Sequence, residues 1–581
     1  MTEWKKHRFC LIIGAGASGL IQGVELIKQG ILKHNELEII DRQDGYGGVW
    51  WQANYPGAAC DIPSNIYQIS WYRNKSTSVV RYGAKRVDWS RRYGGAKEIA
   101  AYYDGFARKF GLPQCTTFNQ SVVKAVWSDE DLLWTVITED VNTKQRTTWT
   151  ANVVIHATGL FNRGKIPAIP GASKFKGESW HTVDWPKDAD LTGKRVAVIG
   201  TGPSAGQLIP AIQPLVKSLT VYQRGATYCL PRDDYPYSWL QRFLFNFVPF
   251  VHYFYYLYLY YYSEIYSYKA FRPGNSTAKA MDEAGIQHLE AQVKDPILRE
   301  KLRPTGHFGC KRAFFLDNYY PALQQANVEL ITDPPVEITE NGILSKPVRS
   351  ISKAEKSRIK HETEVTNSDA VIIEALDLDT YEASRAPSSE EKHTEVDVLI
   401  WGTGFVVQDW GTVYEARGRG GKTLGEHWGQ DCLTLYGSIF GGRFSDRIGV
   451  ATSEFPNFMI LYGPNTSAPW GSLIYTFELQ TQYNGRVVRE LRLRNAHGNV
   501  FAMMPHPDVE KAYTESLYPE LAKLSTSTTF GCKSYYANSK GINTHWFPYH
   551  QAYYKSLLRK IRWQNYVILR RNGKGVETYS V

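Results

Sequence analysis

An α/β chain built on two dinucleotide-binding units is what this sequence predicts, and three observations carry the prediction. Two glycine-rich turns, at Gly14–Gly19 and Gly200–Ala205, each lie between a short apolar strand and a helix with apolar periodicity. An acid closes the strand after the first turn, Asp41 in LEIID, and a cation closes the strand after the second, Arg224 in LTVYQRG. At 581 residues the chain exceeds what one hydrophobic core holds, so two or three domains are expected.

The first element reads RFCLIIGAGASGLIQGVELIKQG, in which Gly14, Gly16 and Gly19 fit G-x-G-x-x-G and Ser18 lies inside the turn. The first glycine permits the tight turn, the second admits a pyrophosphate against the backbone, and the third lets helix and strand pack closely. The helix start then offers its unpaired N–H groups to the phosphates. Asp41 stands where an acid binds ribose hydroxyls. The second element, KRVAVIGTGPSAGQLIPAI, fits the G-x-G-x-x-A variant with Gly200, Gly202 and Ala205, and Thr201 and Ser204 fall between them. Arg224, followed by Gly225, suits a 2′-phosphate and favours NADPH over NADH, although an ordinary surface arginine reads the same way. Two cradles imply two dinucleotides, most simply a flavin in the first and a nicotinamide in the second.

Composition excludes other classes. Hydrophobic residues at 43% and charged residues at 21% fit a folded chain. The net charge of +10 brings no basic cluster joined to a nucleic-acid motif, so no nucleic-acid partner is expected. The seven cysteines are odd in number and show no metal-ligand spacing, and the start MTEWKKHRF lacks an apolar leader. These features predict a reduced, cytoplasmic setting with no bound metal.

Two longer stretches go further. FKGESWHTVDWP places Phe175, Gly177, His181, Trp185 and Pro186 at the offsets F-x-G-x-x-x-H-x-x-x-W-P, directly ahead of the second glycine turn. GGVWWQANYPGAACD carries Gly47, Gly48, Trp50, Tyr55, Pro56, Gly57 and Asp61 in the pattern G-G-x-W…Y-P-G…D. With these the sequence resembles type I Baeyer–Villiger monooxygenases, which use FAD, NADPH and dioxygen to turn a ketone into an ester or lactone. VVIHATGLF, VDVLIWGTGF, FGCKRAFFLDNYYPAL, FPNFMILYGPNT and GCKSYYANSKGIN look like further segments of that family. Related flavin monooxygenases that oxidise nitrogen or sulfur usually carry another aromatic where Trp185 stands. They remain the alternative enzyme reading, and a non-catalytic NADP-binding protein is the alternative of another class.

The resemblance implies a Rossmann-like FAD domain split between 1–170 and 395–581, with an NADP domain at 171–394 inserted between the two parts. A helical, aromatic-rich insertion is expected at about 230–305. It assigns Val49, Trp50, Trp51, Gln52, Asp61, Ile62, Tyr67 and Val122 to FAD beside the first turn. It assigns Ala59, Cys60, Asp61, Lys311, Arg312 and Tyr535 to NADP beside the second. Arg312 of GCKR is the implied catalytic cation, Asp61 its orienting carboxylate, and His181 a linker residue that helps position the nicotinamide. An arginine suits the first role because it cannot lose its proton next to an anionic oxidant. The chain departs from the family pattern at four positions. Asp41 stands for a frequent glutamate, Val49 and Gly225 for frequent threonines, and Tyr535 for a frequent tryptophan.

Three segments lie outside the resemblance. SWLQRFLFNFVPFVHYFYYLYLYYYSEIYSY has no formal charge from Phe243 to Ser263 and seven tyrosines between Tyr253 and Tyr262. It reads as a helical insertion packed on the protein, as a peripheral membrane contact through 236–268, or as a span, and tyrosine argues against the last. Residues 359–395 are polar and read as an inserted loop, and the tail 553–574 as a basic, partly amphipathic helix. A role in secondary metabolism on a bulky ketone would fit the aromatic insertion.

Overall fold

The computed structural model describes residues 6–72, 88–248, 250–347, 371–375, 390–407, 413–428, 450–496, 500–538, 540–572 and 575–580. Strand Lys6–Ile13 is the centre of the first sheet, parallel to Leu37–Ile40 on one side and Arg146–His156 on the other. Beyond the latter, Leu133–Asp140 and Gln120–Ser128 add antiparallel, and the short strands Glu415–Arg417 and Phe458–Ile460 join parallel at Gln120–Ser128 and Arg146–His156. The C-terminal half of the chain therefore returns to the sheet that the N-terminal half begins. One continuous core records this, with Leu11, Ile39 and Val154 packed together with Phe458, Val488 and Ile568.

The second sheet is parallel throughout, in the order Val328–Ile331, Ser218–Tyr222, Arg195–Ile199, Val398–Trp401, Glu178–His181. Its core is separate and draws on Val198, Leu208, Val221, Phe314, Leu330 and Ile400. Both central strands end in four consecutive buried residues, as a sheet covered on both faces requires. Each such Ile or Leu stabilises the fold by about 1.5–3 kcal/mol. The α/β architecture with two nucleotide-type sheets is the one the sequence predicts.

The aromatic insertion is helical. Ser238 and Gln241 form a capping box that starts helix Trp239–Phe247. The chain reverses at Phe250, which sits at φ 67, and continues as helix Val251–Tyr262. The inner face of that helix, His252, Tyr256 and Leu259, packs on Ile62 and Ile66, and His252 Nε2 bonds Asn65 Oδ1 at 2.6 Å. Among the described residues no helix is long and apolar enough to cross a membrane.

Three expectations need correcting. The tail forms only a short helix, Gln551–Leu557, and then strand Tyr566–Asn572, which pairs antiparallel with Val500–Pro505. YVIL is apolar with β-branched Val567 and Ile568 at its centre, and the partner VFAMMP offers it a buried face that outweighs the helical spacing of the tail's cations. Within the polar segment 359–395, Val371–Ala375 is a strand parallel to Gly164–Ala168, and Lys392–Glu395 pairs with Gly342–Ser345. Residues 359–370 and 376–389 lie outside the described residues. Two cysteines are also not free thiols, because Cys310 and Cys532, 222 positions apart, form a disulfide.

Candidate active site

Both glycine turns are built the same way. Gly14 has φ +116, and a Cβ there would run into the carbonyl oxygen of Ala157, the first residue of the A-T-G segment on the neighbouring strand. Gly200 has φ +109, and its Cβ would meet the carbonyl oxygen of Gly402, the equivalent point of the second sheet. Only glycine satisfies both the backbone angle and the space. Helices Ala17–Lys28 and Pro203–Ile212 then start at Gly16 and Gly202 with no side chain capping either N-terminus. Such a start leaves N–H groups for a phosphate, so each turn fits a dinucleotide pyrophosphate.

Asp41 braces the first turn. Its carboxylate accepts from the backbone N–H of Ala15 at 2.6 Å and of Gln43 at 2.8 Å. Burial raises its carboxyl above the ordinary value, and those two N–H groups oppose the rise. Gly48, at φ +57, lies against Gly16 so closely that a Cβ would be 2.8 Å from the Gly16 Cα. This brings the short helix Val49–Gln52 beside the turn, with Val49 and Trp51 exposed and Trp50 donating to the Tyr67 hydroxyl at 3.0 Å. Ser18 is buried in the first helical turn. Val122 is buried beside a β-bulge of the same sheet.

The YPGAACD segment stitches the two cradles together. The side chain of Gln207, on the helix after the second turn, accepts from the Tyr55 hydroxyl at 3.1 Å and the Ala59 N–H at 3.3 Å, and donates to the Ala59 carbonyl at 2.8 Å. Gly57, at φ +82, lets this crossing approach the Gln207 backbone. Cys60 is buried, and its carbonyl accepts from Arg232 Nη2 at 2.9 Å. Asp61 and Ile62 follow directly.

At that crossing Arg312 Nη2 donates to Asp61 Oδ2 at 2.8 Å, joining residues 251 positions apart. The Arg312 side chain keeps 36% of its surface exposed and that of Asp61 21%, so the pair faces an accessible space. Asp61 holds the guanidinium well above its ordinary value, against the opposing cost of desolvation. Thr227 Oγ1 anchors the Arg312 carbonyl at 3.2 Å, and Lys311 Nζ reaches the Ala226 carbonyl at 3.4 Å. Tyr535 and Tyr536, with ring centroids 4.1 Å apart, lie near enough for the guanidinium charge to act on both hydroxyls. Burial raises the Tyr536 hydroxyl, whereas Arg312 lowers it. Tyr462 and Tyr55 also sense the Arg312 charge.

The structure thus gathers Asp61, Cys60, Arg312, Lys311, Tyr67 and Tyr535 about one crossing, and sets the Gly14–Asp41 and Gly200–Ala205 groups on either side. Thr201, Ser204 and Ala205 lie at the second helix start. Arg224 is exposed just past strand Ser218–Tyr222, followed by Gly225. His181 stands apart. It is 1% exposed, its Nδ1 accepts from the Val183 N–H at 3.1 Å, and Phe405 and Gly164 enclose its ring. Burial lowers its pKa to about 4, so it is neutral near pH 7. Trp185 packs edge-on against Trp180 over the second core. Sequence reasoning missed Tyr536, Tyr462, Arg232 and Gln207. Tyr536 shares the YY pair with Tyr535 and Tyr462 lies in FPNFMILYGPNT, but Arg232 and Gln207 carry no motif that would single them out.

A family model described as flavin-binding monooxygenase-like matches residues 6–253. The FAD-binding monooxygenase BOA2 of Botryotinia fuckeliana is 38% identical over 556 residues, covering 96% of this chain and 93% of that protein. A Baeyer–Villiger monooxygenase of Streptomyces coelicolor is 31% identical over 565 residues, covering 97% and 93%. Among solved structures, cyclohexanone monooxygenase from Rhodococcus sp. Phi1 bound to NADP+ superposes with a TM-score of 0.74 over 100% of both chains. At 22% identity that likeness speaks for the fold.

Proposed function

The chain belongs to the flavin-binding monooxygenases, among relatives named Baeyer–Villiger monooxygenases, and from that premise we propose that it inserts one oxygen atom of dioxygen beside a ketone carbonyl. It is a flavin-dependent oxidoreductase with FAD and NADPH as cofactors, and the product is an ester or lactone. In this reading 1–170 and the C-terminal part from about 395 form the FAD domain and 171–394 the NADP domain, whose sheet and core also take in strand Val398–Trp401.

The chain's own residues have separable tasks. Gly14, Gly16, Gly19 and Ser18 hold the FAD pyrophosphate, with Asp41 fixing the turn and facing the ribose. Val49–Gln52, Ile62, Tyr67 and Val122 line the rest of that site. Gly200–Ala205 hold the pyrophosphate of NADPH, and Arg224 with Gly225 meets its 2′-phosphate. When bound, the two cofactors would supply hydride transfer from NADPH to the flavin and the activation of dioxygen. Arg312 supplies a permanent positive charge where negative charge collects on oxygen. Asp61 accepts its N–H and fixes its direction, and Lys311 approaches the nicotinamide nucleotide. Tyr535, Tyr536 and Tyr462 wall the cation and restrict water. His181, buried and neutral, holds the linker into the second sheet so that the nicotinamide side sits at a defined angle.

The single observation that carries this reading is the Arg312–Asp61 pair placed between two glycine cradles. A panel of cyclic, linear and bulky ketones, incubated with NADPH and air, tests it. At least one ketone should give a product heavier by one oxygen atom, with matching NADPH consumption. Oxidation of amines or sulfides alone would replace the reading with nitrogen or sulfur oxygenation.

Two finer points belong to the same proposal. The substrate is a bulky, apolar ketone of secondary metabolism, and the enzyme meets it at a membrane surface through 236–268. What supports this is the exposure of aromatic side chains along the insertion, where Trp239, Phe250, Phe254 and Tyr258 are 78%, 71%, 65% and 63% exposed. Aromatic side chains of this mix favour a bilayer interface. Flotation with phosphatidylcholine vesicles should carry the wild-type chain upward and leave a Trp239→Ser, Phe250→Ser, Phe254→Ser variant behind. Equal flotation of both would remove the membrane contact.

A further inference from the structure

The sequence repeats GCK twice, at Gly309–Lys311 and Gly531–Lys533, and the fold joins the two copies through the Cys310–Cys532 disulfide. Each cysteine follows a glycine in the left-handed region, Gly309 at φ +86 and Gly531 at φ +70. Gly309 is packed on Phe271 and Ser525 with no room for a Cβ. Both sulfurs belong to buried residues, Cys310 at 7% and Cys532 at 4% exposure.

The two loops belong to different parts of the chain. Cys310 lies between helix Pro296–Leu302 and strand Phe314–Phe315, whose neighbours build the second core. Cys532 follows the turn Thr528–Phe530 and precedes a segment whose Tyr536 and Trp546 pack with the first core. Arg312 comes two positions after Cys310, and Tyr535 three positions after Cys532. The guanidinium and the tyrosine pair beside it therefore each lie within four positions of one end of the cross-link. Downstream, Arg312 is fixed by its carbonyl bond to Thr227 and by Phe314 N–H bonding the Tyr228 carbonyl at 3.1 Å. Upstream, the Phe308 N–H bonds Asp282 at 2.6 Å on its own side, whereas the disulfide is the covalent tie to the opposite side.

We propose that the Cys310–Cys532 disulfide is a positioning element for oxygen insertion, which sets Arg312 against Tyr535 and Tyr536 across the seam between the two cores. The proposal rests on the monooxygenase reading above. It forms when the two thiols give up two electrons and two protons to a disulfide oxidant, which leaves as a dithiol. Without the bond the cation and the tyrosine wall separate, water gains access, and NADPH is spent on hydrogen peroxide instead of ester.

Three preparations test it: the oxidised wild type, the double variant Cys310→Ser with Cys532→Ser, and wild type reduced with dithiothreitol and then reoxidised. Peptide mapping without reduction should find 310 linked to 532 in the first. Hydrogen exchange of peptides covering 303–313 and 531–538 should rise in the double variant and on reduction, then fall on reoxidation. Flavin content and anaerobic flavin reduction by NADPH should stay at the wild-type level, while ester formed per NADPH consumed drops roughly tenfold, the scale of a small misplacement at a reacting centre. The reduced and reoxidised wild type keeps the comparison open should the double variant fold poorly. Finding both cysteines alkylated in the native protein, or unchanged exchange in both loops once the bond is gone, overturns the proposal. An unchanged ester-to-NADPH ratio does the same. If the oxidised wild type oxidises no ketone at all, the monooxygenase reading fails on its own account, and the mapping and exchange results still decide on the cross-link.

Discussion

Replacing Arg312 by alanine removes the positive charge at the crossing and leaves Asp61 facing the same space. Unit charges 2.8 Å apart attract by about 6 kcal/mol at an effective dielectric near 20. With 36% of the arginine side chain exposed, solvent screens a large part of that. What counts for rate is the stabilisation of negative charge as the carbonyl is attacked, and losing one such stabiliser costs about 2–4 kcal/mol, or roughly a hundred- to a thousand-fold. The uncompensated Asp61 carboxylate pushes the loss to the upper end of that range. The FAD site uses other residues, so Arg312→Ala should purify yellow and, at saturating NADPH, still accept hydride without oxygen. Arg312→Lys keeps a charge but shortens the reach to Asp61, and should fall between the two. The assay pairs gas chromatography of the ester with NADPH loss and hydrogen peroxide release. Ester formation by Arg312→Ala within threefold of wild type would refute the electrostatic argument.

Other expected outcomes are as follows. Asp61→Asn should keep the cation but lose its orientation, lowering ester formation about tenfold to a hundredfold with a rise in hydrogen peroxide, measured in the same assay. Gly14→Ala should purify largely without FAD, because its Cβ meets the Ala157 carbonyl, whereas Gly200→Ala should stay yellow and lose reduction by NADPH. Absorbance of the purified protein and anaerobic reduction separate the two. Acid should destabilise the fold through His156, His181 and His545, whose pKa values burial lowers to about 4. The unfolded chain takes up their protons from about 6.5 downward, so each contributes stability above that pH and loses it towards pH 4, by about 3 kcal/mol at most. Melting temperatures followed from pH 7 to 4.5 should fall, and a flat profile would contradict the burial argument. Glu264 behaves oppositely. Burial raises it to about 7, so its contribution is present below pH 4.5 and is lost as pH rises through 7. Glu264→Gln should therefore remove a loss of melting temperature that wild type suffers between about pH 4.5 and 7.

The parts of this molecule that sequence reveals are those where one residue type answers one steric demand. Gly14 and Gly200 are required by angle and space together, and each lies in a local strand–turn–helix unit that can be recognised without knowing the rest. Arg312 and Asp61 came from two motifs whose meeting the fold then displayed. Strands Glu415–Arg417 and Phe458–Ile460 were harder, since three residues carry no periodicity and gain their partners only from distant chain. The tail misled because LRKIR has helical spacing, while YVIL obtains a β-partner from Val500–Pro505. The disulfide and the Gln207 stitch to Ala59 were invisible for the same reason, joining positions 222 and 148 apart through tertiary contact alone.

Labelled dioxygen probes the central claim most directly. With oxygen-18 gas, NADPH and a ketone that the enzyme accepts, the ester should carry one heavy atom, at the position between carbonyl carbon and migrating carbon, and Arg312→Ala should yield almost none. An ester whose added oxygen comes from water, or NADPH consumption that ends only in labelled hydrogen peroxide with every ketone tried, would contradict it.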